Sequence, residues 1–389
     1  MLRDIISKRE SELPPSVIGN LLKTAAENKN IISLGPGEPD FLPPSGVIAS
    51  LKRNASKATH YAPPEGVKAL RAAVAKKLRS ENSIRADADN VIITNGSNES
   101  IMIALMCTID PGEEVLVPDP GFMDYRPVVE ILNGFPAPYR ISEDENFEVN
   151  PGMIKEAVNP GKTKAIILNT PANPTGKVLK KKTLEELADI AVDNNLLIIS
   201  DEAYEKFVYG KSKHISIASL NGVQENVVTL QSFSKTYAMT GFRVGYSYGP
   251  GKIIEAMKKV HVYTSISAPT LSQMAAIEAL KTKKSYIEKA RRDYEKRGSF
   301  LHQRLGEMGL GCVVPEGAFY LFPSIKNFKL GSEKFAQLMM DKAKVAMLPG
   351  TEFGRYGEGF VRLSYATAYE KIIEAADRME KAAKNISRL

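Results

Sequence analysis

The chain is poor in the residues that build metal centres and disulfide frameworks. Its 389 residues include no tryptophan, four histidines and two cysteines, Cys107 and Cys312. The two cysteines lie far apart in different kinds of segment, which argues against a disulfide framework and favours a reducing compartment. No pair of histidines has the short spacing with which two imidazoles bind one metal ion, so we expect no metal centre.

Long apolar runs are also absent. No stretch approaches the roughly 18 to 20 apolar residues that a membrane span needs, and the opening Met1-Leu2-Arg3-Asp4 lacks the apolar core of a signal peptide. The net charge is +7, but lysine and arginine are dispersed among the acids rather than gathered into a stripe. We therefore expect a cytoplasmic protein that binds neither membranes nor nucleic acid.

What the chain does contain is a series of short apolar runs that alternate with helical patterns. Because these runs lack the alternation of a half-exposed strand, they predict strands buried on both faces of a mostly parallel sheet wrapped by helices. Helices are predicted over residues 98–109 and 184–194. The strand candidates are residues 91–93, 114–117, 165–168, 196–199 and 227–230.

The pattern changes after a long charged helix that we predict over residues 285–308. Short strands predicted at 312–314, 319–322, 345–348 and 361–364 then indicate a second, smaller α+β domain. We expect an N-terminal arm with part of the small domain at 1–45, a large domain at 46–285, and the small C-terminal domain at 286–389.

Polar clusters follow four of the predicted strands, at the edge of an α/β sheet where ligands bind. The first is the small-residue turn Gly96-Ser97-Asn98 at a helix start, whose backbone N–H groups and positive dipole favour a phosphate. An ordinary helix cap explains the same turn equally well. The second cluster holds Asn173 in a proline-rich turn, for which a turn without any further role is also a fair explanation.

The other two clusters contain charged residues. Asp201 follows a buried strand directly, and a carboxylate there is costly unless it has a cationic partner. Lys235 follows the last of these strands and lies between Ser234 and Thr236, two small hydroxyl residues. Each cluster has a simple structural explanation when it is taken alone, but together they indicate a cofactor site.

Seven segments, in a fixed order, make this indication specific: Leu34-Gly35-Pro36-Gly37-Glu38-Pro39-Asp40-Phe41, His60-Tyr61-Ala62-Pro63, Asn173-Pro174-Thr175-Gly176, Asp201-Glu202-Ala203-Tyr204, Ser232-Phe233-Ser234-Lys235, Gly241-Phe242-Arg243-Val244-Gly245 and Val361-Arg362-Leu363-Ser364-Tyr365. With them the chain resembles, over essentially its whole length, the fold type I, class I aminotransferases that use pyridoxal 5'-phosphate. It looks most like the prokaryotic and archaeal aspartate and aromatic amino acid aminotransferases. The resemblance implies an α/β fold with a mostly parallel seven-stranded sheet sandwiched by helices, plus a smaller α+β domain.

The resemblance also implies roles for the residues around the cofactor ring. The amine of Lys235 carries the cofactor as its resting Schiff base and, once freed by substrate, moves the α-proton as a general base. Asp201 keeps the pyridine nitrogen protonated, so that the ring is its cationic partner. Tyr204 and Asn173 donate hydrogen bonds to the phenolic oxygen of the ring. Phe122 stacks on the ring face, where many relatives have Trp or Tyr.

The cofactor phosphate and the substrate carboxylate bind to separate groups in the family. The helix start and several side chains are implied for the phosphate: Gly96, Ser97, Asn98, Ser232, Ser234 and Arg243. Many relatives have a basic or polar residue after the glycine, where this chain has Ser97 and Asn98. For the substrate α-carboxylate the resemblance implies a bidentate contact from Arg362, helped by Asn173 and the backbone of Gly37.

The expected reaction is reversible transfer of the amino group of an L-amino acid to a 2-oxo acid such as 2-oxoglutarate, with ping-pong kinetics. Two alternatives stay open, namely a lyase or decarboxylase on the same fold and a non-catalytic cofactor-binding regulator. Tyr61 matches the family tyrosine that reaches the phosphate of the neighbouring subunit. That match implies a homodimer with shared active sites, although a core tyrosine beside Pro63 and Pro64 is the structural alternative.

Substrate specificity is expected to depend on loops and on the N-terminal arm around Ser16 and Val17. Together with Phe122 and Tyr125, this lining offers apolar surface and no obvious second arginine. A ring can stack on such a lining, whereas a distal carboxylate needs hydroxyl groups or a lysine of the partner chain. We therefore expect dicarboxylic and aromatic amino acids both to react.

Overall fold

The strands form where apolar runs pair side by side. In the computed structural model, which describes residues 5–11, 13, 27, 28 and 30–386, the strands are β1 Ile32–Ser33, β2 Val91–Thr94, β3 Glu114–Asp119, β4 Phe135–Arg140, β5 Thr163–Asn169, β6 Leu197–Asp201, β7 Val227–Ser232, β8 Gly245–Tyr248, β9 Tyr320–Leu321, β10 Val345–Ala346, β11 Leu348–Pro349 and β12 Val361–Ser364. Within these ranges, seven strands build the central sheet in the order β2-β8-β7-β6-β5-β3-β4. Neighbours are parallel except around β8, which runs antiparallel to both β2 and β7.

Helices connect and cover these strands. Along the described chain they are α1 Lys8–Ser11, α2 Ser45–Asn54, α3 Lys68–Glu81, α4 Ser97–Met106, α5 Tyr125–Ile131, α6 Pro151–Ala157, α7 Lys181–Asp193, α8 Phe233–Thr236, α9 Gly251–Thr264, α10 Thr270–Ala279, α11 Lys284–Glu307, α12 Ser332–Leu338 and α13 Tyr369–Ile386. A π-helical turn spans Met339–Ala343. Short 3₁₀ turns lie at Ala88–Asn90, Glu143–Glu145, Ile217–Ser219, Gln224–Asn226, Thr240–Phe242, Lys326–Phe328, Gly350–Phe353 and Arg355–Gly357.

Amphipathic spacing explains how the helices pack on the sheet. In α7 the buried residues are Leu184, Leu187, Ala188 and Ala191, which recur every three or four positions on one face. The central strands are buried on both faces, as their unbroken apolar runs predict. Apolar side chains therefore form a core on each side of the sheet.

A smaller α+β unit follows the central sheet in the chain. Within the part of the chain that the structure describes, β9, β11 and β12 form an antiparallel sheet in the order β11-β12-β9, and β1 pairs in parallel with β10. The helix α11 packs against α13 and β9. The segment that holds β1 thus returns to the side of the molecule formed by the C-terminal part of the chain.

Most predicted elements are confirmed, with shifts of a few residues at their ends. The predicted strand 312–314 is wrong, because this segment is irregular and Val314 is 63% exposed. The predicted strand 345–348 is two strands, β10 and β11, which pair in different sheets on either side of Met347. The strands β4 and β8 were not predicted. Ser16 and Val17 lie outside the described residues.

Two further features bear on the sequence predictions. No helix in the described ranges is long and apolar enough to cross a membrane. Cys107 and Cys312 are both free.

The turn after β3 is held by the smaller unit. Asp119 accepts hydrogen bonds from the backbone N–H groups of Arg355 and Tyr356, at 3.1 and 3.0 Å, and Gly121 donates its N–H to the carbonyl of Phe353 at 2.8 Å. These bonds fix the position of the turn that carries the Phe122 side chain.

Candidate active site

The carboxyl ends of β5, β6 and β7 meet the smaller unit at a cleft of about 220 Å³. Most of the residues that the sequence predicts for the site line this cleft, together with three that it does not. The lining consists of Gly37, Ser97, Asn98, Phe122, Tyr125, Asn169, Asn173, Asp201, Ala203, Tyr204, Ser232, Ser234, Lys235, Arg243, Tyr320 and Arg362. A cleft at the strand ends of an α/β sheet is the expected place for a ligand.

Lys235 enters the cleft from α8, a single helical turn directly after β7. The hydroxyl of Ser232 caps this turn by accepting the N–H of Ser234 at 3.1 Å. The Lys235 amine donates to the carbonyl of Gly37 at 2.6 Å. Burial, together with the positive charge of Arg362, lowers the pKa of Lys235 to about 8. A larger fraction of this amine than of an ordinary lysine is therefore neutral, and nucleophilic, near neutral pH.

Asp201 is the last residue of β6 and is only 5% exposed. Its carboxylate accepts the Tyr125 hydroxyl at 2.8 Å and the Ala203 N–H at 3.1 Å. No ion pair involving Asp201 is present among the described residues. Burial raises the pKa of Asp201 above its ordinary value, and the hydrogen bond from Tyr125 opposes that rise. The cleft thus contains a buried carboxylate that is held by neutral donors.

Arg362 lies on the opposite wall, on β12, and is 1% exposed. Its guanidinium donates to the side-chain oxygen of Asn173 at 3.0 Å and to the carbonyl of Gly35. Its Nε has no hydrogen-bond partner among the described residues. Aromatic rings cover the guanidinium on two sides, with Tyr320 at 4.5 Å and Phe353 at 4.8 Å from the guanidinium carbon. Arg362 is therefore a buried cation held in a fixed position, and its guanidinium can still donate further hydrogen bonds.

A pair of tyrosines connects the two walls. The hydroxyl groups of Tyr204 and Tyr320 are 2.7 Å apart, so one of them donates to the other. The Tyr320 hydroxyl also lies against Gly37, where an added Cβ atom would be 1.8 Å from it. Gly37 is thus required by close packing against Tyr320.

The predicted phosphate turn is formed at the start of α4. Gly96 is the residue that caps this helix and has a φ of 85°, in the left-handed region that favours glycine. Arg243 lies against it and donates to the carbonyls of Asn95 at 3.2 Å and Thr240 at 3.0 Å. The side-chain amide of Asn98 donates to Asp124, so one of its polar groups is already occupied. Four backbone N–H groups at a helix start attract an anion.

The structure adds cleft residues that sequence reasoning missed. Asn169, at the end of β5, accepts the Asn173 N–H at 2.7 Å and donates to the Asp201 carbonyl at 3.0 Å, and so joins two strand ends. The position of Asn169 at the end of an apolar run is the sequence feature that could have identified it as a cleft residue. Tyr320 lies inside an apolar run and has no such indication. Tyr61 stands apart, since it is outside the cleft lining and 80% exposed.

A second polar cluster lies next to the cleft. Glu202, Glu205 and His214 have ligand atoms within 4.8 Å of one another, an arrangement that could bind a metal ion. Lys77, however, places its amine against Glu205 and the side-chain oxygen of Gln231. A lysine thus supplies positive charge where a metal ion would otherwise be needed.

Comparison with known proteins identifies the family. The model of the family "Aminotransferase class I and II" matches residues 29–379. The chain belongs to this family. The aminotransferase is 46% identical to an aspartate aminotransferase of Pyrococcus abyssi, over 97% of each chain. It is 45% identical to aromatic-amino-acid aminotransferase 2 of Thermococcus litoralis, over 97% of this chain and 98% of the other.

Solved structures agree with this assignment. The aspartate aminotransferase of Thermus thermophilus, solved with maleate, superposes with a TM-score of 0.93 at 34% identity, covering 97% of this chain and 99% of the other. The expected fold, a mostly parallel seven-stranded sheet between helices with a smaller α+β domain, is confirmed. The aminotransferase is accordingly an enzyme that transfers amino groups, and a lyase or a non-catalytic regulator has no support.

The buried carboxylate predicts an effect on stability. A carboxyl group whose pKa is raised on folding binds its proton more tightly in the folded state. Ionising such a group therefore lowers the free energy of unfolding as the pH rises above 3.8, the ordinary pKa of the group. We expect Asp201→Asn, in protein stripped of small molecules, to raise the free energy of unfolding at pH 7. Urea denaturation between pH 4 and 7 measures the difference, which should shrink towards pH 4. A variant that is less stable than the wild type at pH 7 would contradict this account.

Proposed function

We propose that the aminotransferase binds pyridoxal 5'-phosphate in the cleft and holds it on Lys235. The observation that carries this proposal is the buried Asp201 carboxylate, which accepts hydrogen bonds from neutral donors and has no ion-pair partner among the described residues. It faces the same cleft as the Lys235 amine. A ligand that brings an aldehyde, a protonated ring nitrogen and a phosphate would satisfy Lys235, Asp201 and the Gly96 turn together. The residues present therefore fit this cofactor.

When bound, the cofactor supplies an aldehyde for the amino group and an electron-poor ring that accepts the electron pair of the broken Cα–H bond. Lys235 moves the proton at the substrate Cα. Its lowered pKa of about 8 suits this role, because a general base must be neutral before it takes a proton.

The residues around Lys235 hold the ring. Asp201 keeps a proton on the ring nitrogen, and the resulting ion pair removes the cost of burying its charge. Tyr204 and Asn173 donate to the phenolic oxygen, and the hydrogen bond between Tyr204 and Tyr320 orients the Tyr204 hydroxyl. Phe122 covers one ring face; its neighbour Tyr125 meets it edge-on at 5.4 Å, which fixes the Phe122 ring.

The phosphate and the substrate occupy opposite ends of the cleft. The backbone N–H groups at the start of α4 bind the phosphate, with help from four further groups: Ser97, Ser232, Ser234 and Arg243. Asn98 contributes its backbone N–H, since its side-chain amide donates to Asp124. Arg362 binds the substrate α-carboxylate through two N–H groups of its guanidinium, next to Asn173 and the backbone of Gly37.

We further propose that dicarboxylic and aromatic amino acids are both substrates, with 2-oxoglutarate as the usual acceptor in a ping-pong cycle. Relatives with nearly equal identity carry the two names aspartate and aromatic-amino-acid aminotransferase, and the Thermus enzyme was solved with maleate, a dicarboxylate. The cationic side chains that line the described cleft are Lys235, Arg243 and Arg362, and each has a role above. A distal carboxylate therefore needs hydroxyl groups or a residue of another chain, whereas a ring needs apolar surface only.

A homodimer with shared sites is the assembly that best suits Tyr61. Its side chain is 80% exposed and outside the cleft of its own chain, which is what a residue reaching a neighbouring site requires. We also keep the division at 1–45, 46–285 and 286–389 as a proposal. Pairing of β1 with β10 and packing of α11 on α13 support it. A cytoplasmic location stays a prediction, consistent with two free cysteines.

The cofactor proposal predicts that Lys235→Ala loses the visible absorbance of the lysine-bound cofactor and nearly all turnover, because Lys235 is the only lysine among the described residues that line the cleft. The absorbance spectrum after extensive dialysis, and the rate with aspartate and 2-oxoglutarate, measure the two effects. Lys177→Ala, which changes a buried lysine outside the cleft, is the matched control and should keep both. Retained absorbance in Lys235→Ala would refute the assignment.

The role of Arg362 predicts a loss shared by all substrates. Removing one side of a buried charge pair costs about 3 to 5 kcal/mol, so Arg362→Ala should lower kcat/KM by on the order of a hundredfold or more for aspartate and phenylalanine alike. Arg355→Ala, outside the cleft lining, serves as the control. A loss confined to one substrate class would contradict the shared role, and a wild type inactive with phenylalanine and tyrosine would contradict dual specificity.

The shared-site proposal predicts complementation between two defective variants. In a mixed dimer of Tyr61→Phe and Lys235→Ala chains, one site combines an intact Lys235 with an intact Tyr61, so the mixture should regain activity above the average of the two parents. Steady-state assays after subunit exchange measure this gain, and analytical ultracentrifugation measures the mass of the active species. An active monomer would be decisive against the proposal.

A further inference from the structure

We propose that Glu99 and His261 are positioning residues, which hold the turn at Asn95 and Gly96 and connect it to the segment that carries Tyr61. This inference rests on the proposed function, since it concerns how the cofactor phosphate is held. Neither residue lines the cleft. Both would act on the cofactor through the backbone of the turn.

Glu99 lies in the first turn of α4 and points back to the residue before Gly96. Its Oε2 accepts the backbone N–H of Asn95 at 2.6 Å and the side-chain amide of Asn95 at 2.8 Å, and its Oε1 accepts the Ser265 hydroxyl. The carbonyl on the other side of Asn95 accepts Arg243 at 3.2 Å. The backbone of Asn95 is thus held from both sides, by Glu99 and by a proposed phosphate ligand.

His261 lies on α9 and is fully buried. Its Nε2 is 3.2 Å from Oε2 of Glu99, and its Nδ1 is 2.8 Å from the carbonyl oxygen of Pro64. A carbonyl oxygen only accepts, so Nδ1 carries a hydrogen, and the Glu99 carboxylate favours a second one on Nε2. Burial raises the pKa of Glu99, but the opposing contacts with His261, Asn95 and Ser265 prevail and lower it to about 2. Glu99 is therefore ionised near neutral pH. Burial opposes a positive charge on His261, but the Glu99 carboxylate prevails and raises the pKa of His261 above its ordinary value.

The Pro64 contact extends the connection to the segment that carries Tyr61. The backbone carbonyl of the next residue, Glu65, accepts the N–H of Ile93 on β2 at 3.0 Å. The segment is therefore also anchored to the strand that leads into the turn. Ser265, whose hydroxyl donates to Glu99, lies two residues after the exposed Tyr263. One buried ion pair thus fixes the phosphate turn of one site and the segment that would reach the neighbouring site.

The cofactor and its dephosphorylated form provide the test. Glu99→Gln keeps an oxygen that can accept the Asn95 N–H but removes the charge, and His261→Asn removes the partner of Glu99. We expect each variant of the enzyme to bind pyridoxal 5'-phosphate on the order of tenfold more weakly, while its affinity for pyridoxal, which lacks the phosphate, changes less than threefold. Absorbance titration of protein stripped of cofactor measures both constants.

Because the two residues act as a unit, the affinity of the double variant for pyridoxal 5'-phosphate should lie within about twofold of that of the weaker-binding single variant. Glu316→Gln is the matched control, since it breaks the ion pair with the buried Lys177 outside this region, and it should leave both constants unchanged. At saturating cofactor, kcat of either variant should recover to within about threefold of the wild type. If one variant does not fold, the other carries the same test.

Two results would overturn the inference: affinities for both compounds that stay unchanged in both variants, or an equal loss of affinity for pyridoxal and its phosphate. The second result would reduce the pair to a general contribution to folding. Failure of the proposed function would look different, since the wild type itself would then bind the two compounds equally or show no absorbance that depends on Lys235.

Discussion

The burial of charge in one cleft is the constraint on which the rest of the structure depends. Asp201 and Arg362 are almost completely buried, and the Lys235 amine faces the same cleft, yet none of the three forms an ion pair within the described chain. Hydroxyl groups, backbone carbonyls and aromatic rings surround them instead. Such partners leave each charge only partly compensated, which costs stability but leaves capacity for a charged ligand. The strand ends and the smaller domain together provide this environment.

The sequence predicts the central strands well because their apolar runs are unbroken. It fails for β4 and β8 for identifiable reasons. The strand β4 contains Pro136 and Pro138, which normally exclude a central strand, but β4 is at the edge of the sheet, where a missing N–H is tolerated. The strand β8 has no apolar run and forms by pairing with neighbours on both sides. The apolar run at 312–314 was misleading, because apolar composition alone does not provide a pairing partner.

The site could be predicted in part for a similar reason. Asp201, Asn173 and Lys235 lie within a few residues of the ends of apolar runs, and the topology of a parallel sheet brings the ends of its parallel strands to one edge. Contacts between distant segments leave no mark of this kind. Tyr125 meets Asp201 across 76 residues, and Glu99 meets His261 across an even longer stretch of chain. These pairs depend on how helices and loops pack, which local sequence patterns do not report.

The close approach of Gly37 to Tyr320 has a consequence for the evolution of this cleft. A Cβ atom at position 37 would overlap the Tyr320 hydroxyl, and Tyr320 in turn covers Arg362 and bonds to Tyr204. Any single replacement of Gly37 therefore displaces a residue that touches two others. A larger residue at 37 becomes acceptable only after Tyr320 has been exchanged for a smaller one, so the order of the two steps matters. Mutational paths that place a larger residue at 37 must therefore pass through position 320 first, which makes the two positions epistatic.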